Sequence, residues 1–143
     1  MEKYVSTYLL SSLFTVNINP GHRIGTVEIE DGLVSMNEIN ESAVFGKPDK
    51  IRGDAIIAFV TLKNGYSKSP ELINSIKMKM RNELGSLMVP EEFYIVNSLP
   101  KTRSGKIMRR VIRDIYLNNE LKDISTLENP DSLNEIKNSK IVE

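Results

Sequence analysis

The chain has 143 residues, 40% hydrophobic and 27% charged, which leaves room for one core and little else and shows no bias toward disorder or coiled coil. Its 19 Lys and Arg balance 19 Asp and Glu, so the basic excess of a general nucleic-acid binder is absent. With no cysteine and a single histidine, His22, neither a disulfide framework nor a zinc site of Cys and His ligands is available.

Residues 1–16 hold the apolar run Tyr8-Leu9-Leu10-Ser11-Ser12-Leu13-Phe14-Thr15-Val16, too short to cross a bilayer and without a convincing small-residue cleavage site. The run reads as an extension ahead of the domain, and no membrane partner is expected. Residues 17–25 combine Asn, Pro and two glycines, turn chemistry that lets backbone approach a ligand. His22 in this loop reads as a polar or partly buried side chain before it reads as a proton-transfer group. Val27, Ile29, Leu33 and Val34 then trace an imperfect helical stripe, with Glu28, Glu30 and Asp31 in the early turns where the dipole favours acids.

Strands are expected over 41–46 and 55–62, and the near-continuous apolar character of the second makes it a central strand covered on both faces. After a polar loop, Pro70 opens a helix in which Leu72, Ile73, Ile76, Met80 and Leu84 share a face, with Gly85 as a left-handed stop. Arg81 lies off that face. A third strand over 92–99 delivers the chain to a cation-rich turn and then to a helix burying Ile107, Met108, Val111, Ile112 and Ile115 and exposing Arg109, Arg110 and Arg113. A polar tail with a short helix over 131–137 and a frayed end closes the chain. The fold class is α+β: a small, mainly antiparallel three-stranded sheet covered by helices.

The turn Leu99-Pro100-Lys101-Thr102-Arg103-Ser104-Gly105-Lys106-Ile107-Met108-Arg109-Arg110 carries the chemistry. Pro100 ends the apolar run, and Ser104 and Gly105 are turn residues, which sets Lys106 in or beside the first helical turn. Lys101, Arg103 and Lys106 around a helix start make a place for an anion, above all a phosphate, although charge runs are more often solvated faces. The string is no Walker A loop: Pro100 stands where its first glycine belongs, and Ile107 replaces the hydroxyl residue after the lysine.

This turn resembles the lysine-bearing signature of the adenylate-forming enzymes, in their acetate:CoA ligase branch. Gly21-His22-Arg23-Ile24-Gly25-Thr26 with Glu28-Ile29-Glu30 resembles the family's CoA-side loop, and Gly53-Asp54-Ala55-Ile56-Ile57-Ala58-Phe59-Val60-Thr61-Leu62 its central strand. Ser69-Pro70-Glu71-Leu72, Arg81-Asn82-Glu83-Leu84-Gly85 and Ser125-Thr126-Leu127-Glu128-Asn129-Pro130 extend the likeness in order across residues 20–130. In that family such a region is the small mobile C-terminal domain, and the larger N-terminal adenylating domain has no counterpart in these 143 residues. The family's hinge aspartate would fall at 14–16, where Phe14, Thr15 and Val16 stand.

The resemblance implies an extension over 1–18 in place of the hinge, the domain over 19–122 and a polar tail over 123–143. It implies that Lys106 serves adenylation, with Arg103 and Gly105 on the phosphate side, and that Gly21, Arg23 and Arg81 lie on the CoA side, Arg81 toward the 3′-phosphate. ATP and CoA would be substrates, with Mg2+ entering on ATP and held mainly by the N-terminal domain or subunit. A lysine acyltransferase and deacylase acting on Lys106 are implied as partners, in a cytoplasmic setting. The domain alone is expected to be inactive. A non-catalytic binding module or gene fragment that keeps the fold is the alternative.

Overall fold

In the computed structural model, which describes residues 15–19, 22–49 and 53–141, the elements follow in the order β1 (Thr15–Asn19), β2 (His22–Gly25), α1 (Thr26–Val34), β3 (Ile39–Asp49), β4 (Gly53–Leu62), α2 (Pro70–Leu84), a 3-10 turn (Ser86–Met88), β5 (Glu92–Ile95), α3 (Arg109–Tyr116) and α4 (Asp131–Ile141). The extension expected before residue 15 lies outside the described residues. Thr15–Asn19 and His22–Gly25, read above as extension and loop, form an antiparallel pair of strands, with Val16 opposite Ile24 and fully buried.

β4 is the middle strand of a three-stranded sheet in the order β3-β4-β5. Because successive side chains of a strand point to opposite faces, its apolar run feeds two layers at once. Ile56, Ala58 and Val60 pack with Ile29 and Leu33 of α1 and Ile76 and Met80 of α2, while Ala55, Ile57 and Phe59 pack with Val111, Ile112 and Ile115 of α3 and Leu133 and Ile136 of α4. The central strand covered on both faces is therefore present.

The sheet is mixed. β3 and β4 pair antiparallel along most of their length, whereas β4 and β5 pair parallel, Ile57 with Glu92 through Val60 with Ile95. A parallel neighbour needs a crossover, and α2 supplies it. Ser69 caps that helix by accepting the Leu72 N–H at 3.0 Å, and Pro70 occupies its first turn. Gly85 ends it at φ +93°, but its ψ of 160° lies outside the left-handed helical region and aims the chain into the 3-10 turn. The third strand stops at Ile95: Val96 N–H still donates to the Val60 carbonyl at 2.9 Å, but the Asn97 N–H turns to the Glu135 carboxylate on α4. α4 runs four residues past the expected 137 and buries Leu133 and Ile136 against α3.

Phe59, fully buried, stacks on Tyr94 at a centroid distance of 4.8 Å and lies 6.2 Å from Phe45, while Tyr116 meets Phe45 edge-on at 5.4 Å. The Tyr94 and Tyr116 hydroxyls both donate to the Glu92 carboxylate, so the polar ends of this aromatic layer are satisfied. Phe59→Ala should lower unfolding free energy by about 3–5 kcal/mol, measured as a shifted denaturant midpoint with unchanged slope.

The turn after α1 carries a buried carboxylate, Glu38, whose Oε2 accepts from Lys79 Nζ on α2 at 2.8 Å. That ammonium holds Glu38 below its ordinary value against the opposing effect of burial. A carboxyl depressed on folding adds stability above its unfolded pKa of about 4.3 and loses it as pH falls through the lower folded value. The stability gap between the wild type and Lys79→Met should therefore be present at pH 7 and shrink below about pH 4. Denaturant titrations at both pH values measure it, and a pH-independent gap would show that the pair contributes only packing.

Candidate functional site

The lysine loop is built before α3 begins. Gly105 N–H donates to the Thr102 carbonyl at 2.9 Å, Thr102 N–H to the Lys106 carbonyl at 2.9 Å, and Lys101 bridges Ile107, so residues 101–107 close into a tight antiparallel turn. Gly105 stands at φ +88°, a conformation that side chains with a Cβ rarely adopt. The Thr102 hydroxyl accepts the Lys106 N–H at 3.2 Å and lies 3.0 Å from Ser104 Oγ. Met108 N–H donates to the Pro100 carbonyl at 2.8 Å, and the helix starts at Arg109. Lys106 thus sits three residues ahead of the helix rather than in its first turn, because the backbone groups that would open a helix at 105–107 are spent closing the turn.

A segment far along the chain forms the wall of this loop. Asn129 Oδ1 accepts the Lys101 N–H at 2.9 Å and its Nδ2 donates to the Leu99 carbonyl at 2.8 Å. Glu128 N–H donates to the Lys101 carbonyl at 2.8 Å, and Leu127 bridges Thr102. Upstream, Asn97 N–H donates to both carboxylate oxygens of Glu135 on α4, at 2.9 and 2.8 Å. Residues 125–130, which carry part of the family likeness, thus also close the wall of the loop. The available signal was Asn129-Pro130 ahead of a helix, a turn-forming dipeptide whose side chain bonds backbone.

The cations gathered in the sequence are sorted by their partners. Lys101 Nζ pairs with Glu41 on β3 at 2.7 Å, and Arg103 with Glu128 at 3.2 Å in an exposed geometry worth little energy. Among the described residues the exposed Lys106 ammonium has no hydrogen-bond or ion-pair partner. Of Arg109, Arg110 and Arg113, all expected on the solvent face, only Arg110 is exposed; Arg113 is partly buried, and Arg109 is half-buried on an acid. Its Nε and Nη2 grip the two oxygens of Glu30 at 2.7 and 2.6 Å, and its side chain keeps 27% exposure against 7% for Glu30. The Glu30 contact holds the Arg109 guanidinium above its ordinary value, against the effect of burial. Glu30 is therefore an interior acid. The available signal was its position three residues before buried Leu33, on the inward stripe of α1.

The remaining candidates lie elsewhere. Arg81 is exposed on α2, which packs by Leu84 against Gly32 of α1. The backbone of Arg23 pairs with Asn17 in the β1–β2 ladder, and Gly21 lies outside the described residues. Hairpin residues Val16 and Ile24 join the α1/α2 layer, whereas Leu99, Ile107, Met108 and Leu127 of the lysine loop join the α3/α4 layer. The structure thus brings Arg103, Gly105 and Lys106 into one loop and sets Arg81 and the Arg23 backbone with the layer on the opposite face. Among the described residues no three His, Cys, Asp or Glu side chains are placed to hold a metal ion, and no helix is long and apolar enough to cross a membrane.

Residues 28–106 match the family model of the AMP-binding enzyme C-terminal domain, and the chain belongs to that family. Acetyl-coenzyme A synthetase of Methanothrix soehngenii is 49% identical over 116 residues, 81% of this chain and 17% of that protein. The Chlorobaculum tepidum acetyl-coenzyme A synthetase is 47% identical over 114 residues, 79% of this chain and 17% of that protein. Among solved structures, a Brucella canis acyl-CoA synthetase aligns with a TM-score of 0.65 at 35% identity, over 73% of this chain and 19% of that one. Acetoacetyl-CoA synthetase from Streptomyces lividans gives 0.71 at 24% identity, over 90% of this chain and 19% of that one, a likeness of fold. Within the family, the chain is the C-terminal domain of an acetyl-CoA synthetase-like adenylate-forming enzyme, and it spans 17% of the length of these curated relatives.

Gly105→Ala should cost about 1–2 kcal/mol by forcing a Cβ into that backbone region. Asn129→Ala should cost about 1–3 kcal/mol by leaving two backbone groups of the loop unpaired. Both are read by denaturant melts, with faster amide exchange confined to residues 99–108 as the signature of a local effect.

Proposed function

We propose that this chain serves an acetate:CoA ligase as its mobile domain, with Lys106 the residue that promotes adenylation. The observation that carries the reading is the exposed Lys106 ammonium, left without a described partner on a turn closed by backbone hydrogen bonds, in a chain nearly half identical to acetyl-coenzyme A synthetases. In the first half-reaction an acetate oxygen attacks the α-phosphorus of ATP, the bond to pyrophosphate breaks, and acetyl-AMP forms. Charge grows on the phosphoryl oxygens as this happens, and an ammonium on a preorganised loop offsets it. Arg103 and Gly105 belong to the same phosphate side, Gly105 by permitting the turn.

In the second half-reaction the CoA sulfur, having released its proton, attacks the acetyl carbonyl and AMP leaves with the bonding electrons. Gly21, Arg23 and Arg81 are assigned to CoA. The lysine loop in one layer, with Arg81 and the Arg23 backbone in the other, suits a domain that turns between half-reactions, withdrawing the lysine as it presents the other face. Magnesium enters this reading on ATP alone. The carboxylates beside the loop, Glu41 and Glu128, are each paired with a cation, so no step is assigned to a metal on this chain.

Residues 19–122 form the domain in this reading, residues 1–18 stand where the hinge would be, and 123–143 add α4 to the core. The ATP and acetate pockets belong to an N-terminal adenylating domain, so the chain alone is inactive, in a cytoplasmic setting. Acylation of Lys106 by a lysine acyltransferase would remove its charge and switch adenylation off, and a deacylase would restore it. A non-catalytic module or gene fragment that keeps the fold is the second reading.

Pyrophosphate exchange with acetate and ATP tests the proposal, comparing this chain, a separately supplied adenylating domain, and the two mixed. Exchange should appear or rise at least about 100-fold only in the mixture, and Lys106→Ala should abolish the gain while sparing thioester formation from preformed acetyl-AMP. Full exchange with Lys106→Ala would sink the assignment, and no gain on mixing would favour the non-catalytic reading.

A further inference from the structure

The lysine loop is closed on itself, so its aim depends on what its two ends are tied to. The upstream end is held by Asn129 and by Lys101 on Glu41, and the downstream end passes through Met108 into Arg109 at the start of α3. From there the Arg109 side chain reaches across the open edge of β3 to Glu30 on α1, in the opposite layer. Glu30 is itself fixed to that edge: its Oε2 accepts the Val44 N–H at 2.8 Å, and its carbonyl accepts the Ser42 hydroxyl at 3.2 Å. The two-pronged grip of guanidinium on carboxylate sets direction as well as distance.

The geometry points to Arg109 as a positioning residue that, through Glu30, fixes the lysine loop relative to the sheet; this rests on the adenylation reading of Lys106. Three observations carry it together. The pair has two short hydrogen bonds, the carboxylate is almost wholly buried, and Arg109 is three residues from Lys106. A buried pair of this kind is a poor stability device, since well-packed apolar side chains serve as well or better. What an apolar pair cannot reproduce is a fixed angle between the α3 start and α1. Neighbouring Arg110 is exposed, has no described partner, and serves as the control.

The experiment compares Arg109→Met, Arg109→Lys, Glu30→Gln and Arg110→Met. Each is examined as the chain alone by circular dichroism and amide exchange, and in the mixture with an adenylating domain by both half-reactions. In folded Arg109→Met, exchange over 101–107 should rise at least about tenfold, and kcat for adenylation should fall about 10–100-fold with KM for ATP and acetate within about threefold. Thioester formation from preformed acetyl-AMP should stay within about threefold, Arg109→Lys should recover part of the adenylation rate, and Arg110→Met should behave as wild type.

Unchanged loop exchange in the folded variants, or an equal fall of both half-reactions in step with the folded fraction, overturns the inference. If Arg109→Met does not fold, Arg109→Lys and Glu30→Gln carry the same comparison, because both retain hydrogen-bonding groups at the site. If Lys106→Ala leaves adenylation intact, the catalytic reading fails by itself, and the exchange comparison still decides whether Arg109 fixes the loop.

Discussion

A strand buried on both faces demands two opposed apolar layers, and β4 imposes that demand on the rest of the chain. A sheet of three strands has only one interior strand, so each neighbour is also an edge. The side chains of β4 recruit α1 and α2 to one face and α3 and α4 to the other. The crossover that places α2 makes β5 parallel to β4, so β5 ends beside the last residues of β4. There the lysine loop begins, at the end of the sheet, where a turn can project beyond both layers.

The outer edge of β3 is where the two layers are joined. An open edge presents unpaired backbone groups that invite wrong partners. Glu30 occupies one such group, the Val44 N–H, and Arg109 closes over Glu30 from the other layer. Desolvating both charges opposes their attraction, so the pair contributes more to geometry than to net stability.

Charge pairing also explains how a neutral chain yields one available cation on its turn. Lys101 and Arg103 are each matched to a specific acid, Glu41 and Glu128. Lys106, in the same turn, projects with no partner among the described residues. The Lys101–Glu41 pair helps hold the loop, while the weakly paired Arg103 and the unpartnered Lys106 project from it toward a ligand.

The amino-acid sequence by itself determined the elements whose signals are local. The apolar run of β4, the Ser69-Pro70 start and Gly85 end of α2, and the cation-rich turn after Pro100 were all legible, since propensity, capping and periodicity act over a few residues. The order of the lysine signature and its companions carried the family. Tertiary structure decided what depends on residues distant in the chain. The parallel pairing of β5, the hairpin made by Thr15–Asn19 and His22–Gly25, the Asn129 clamp 23 residues beyond Lys106 and the burial of Arg109 on Glu30 each join segments with no local signal of their partner. Arg109 looked like its neighbour Arg110 in every local respect. Only the fold, by setting Glu30 at the edge of β3 within reach, turned one of two adjacent arginines inward and left the other in solvent.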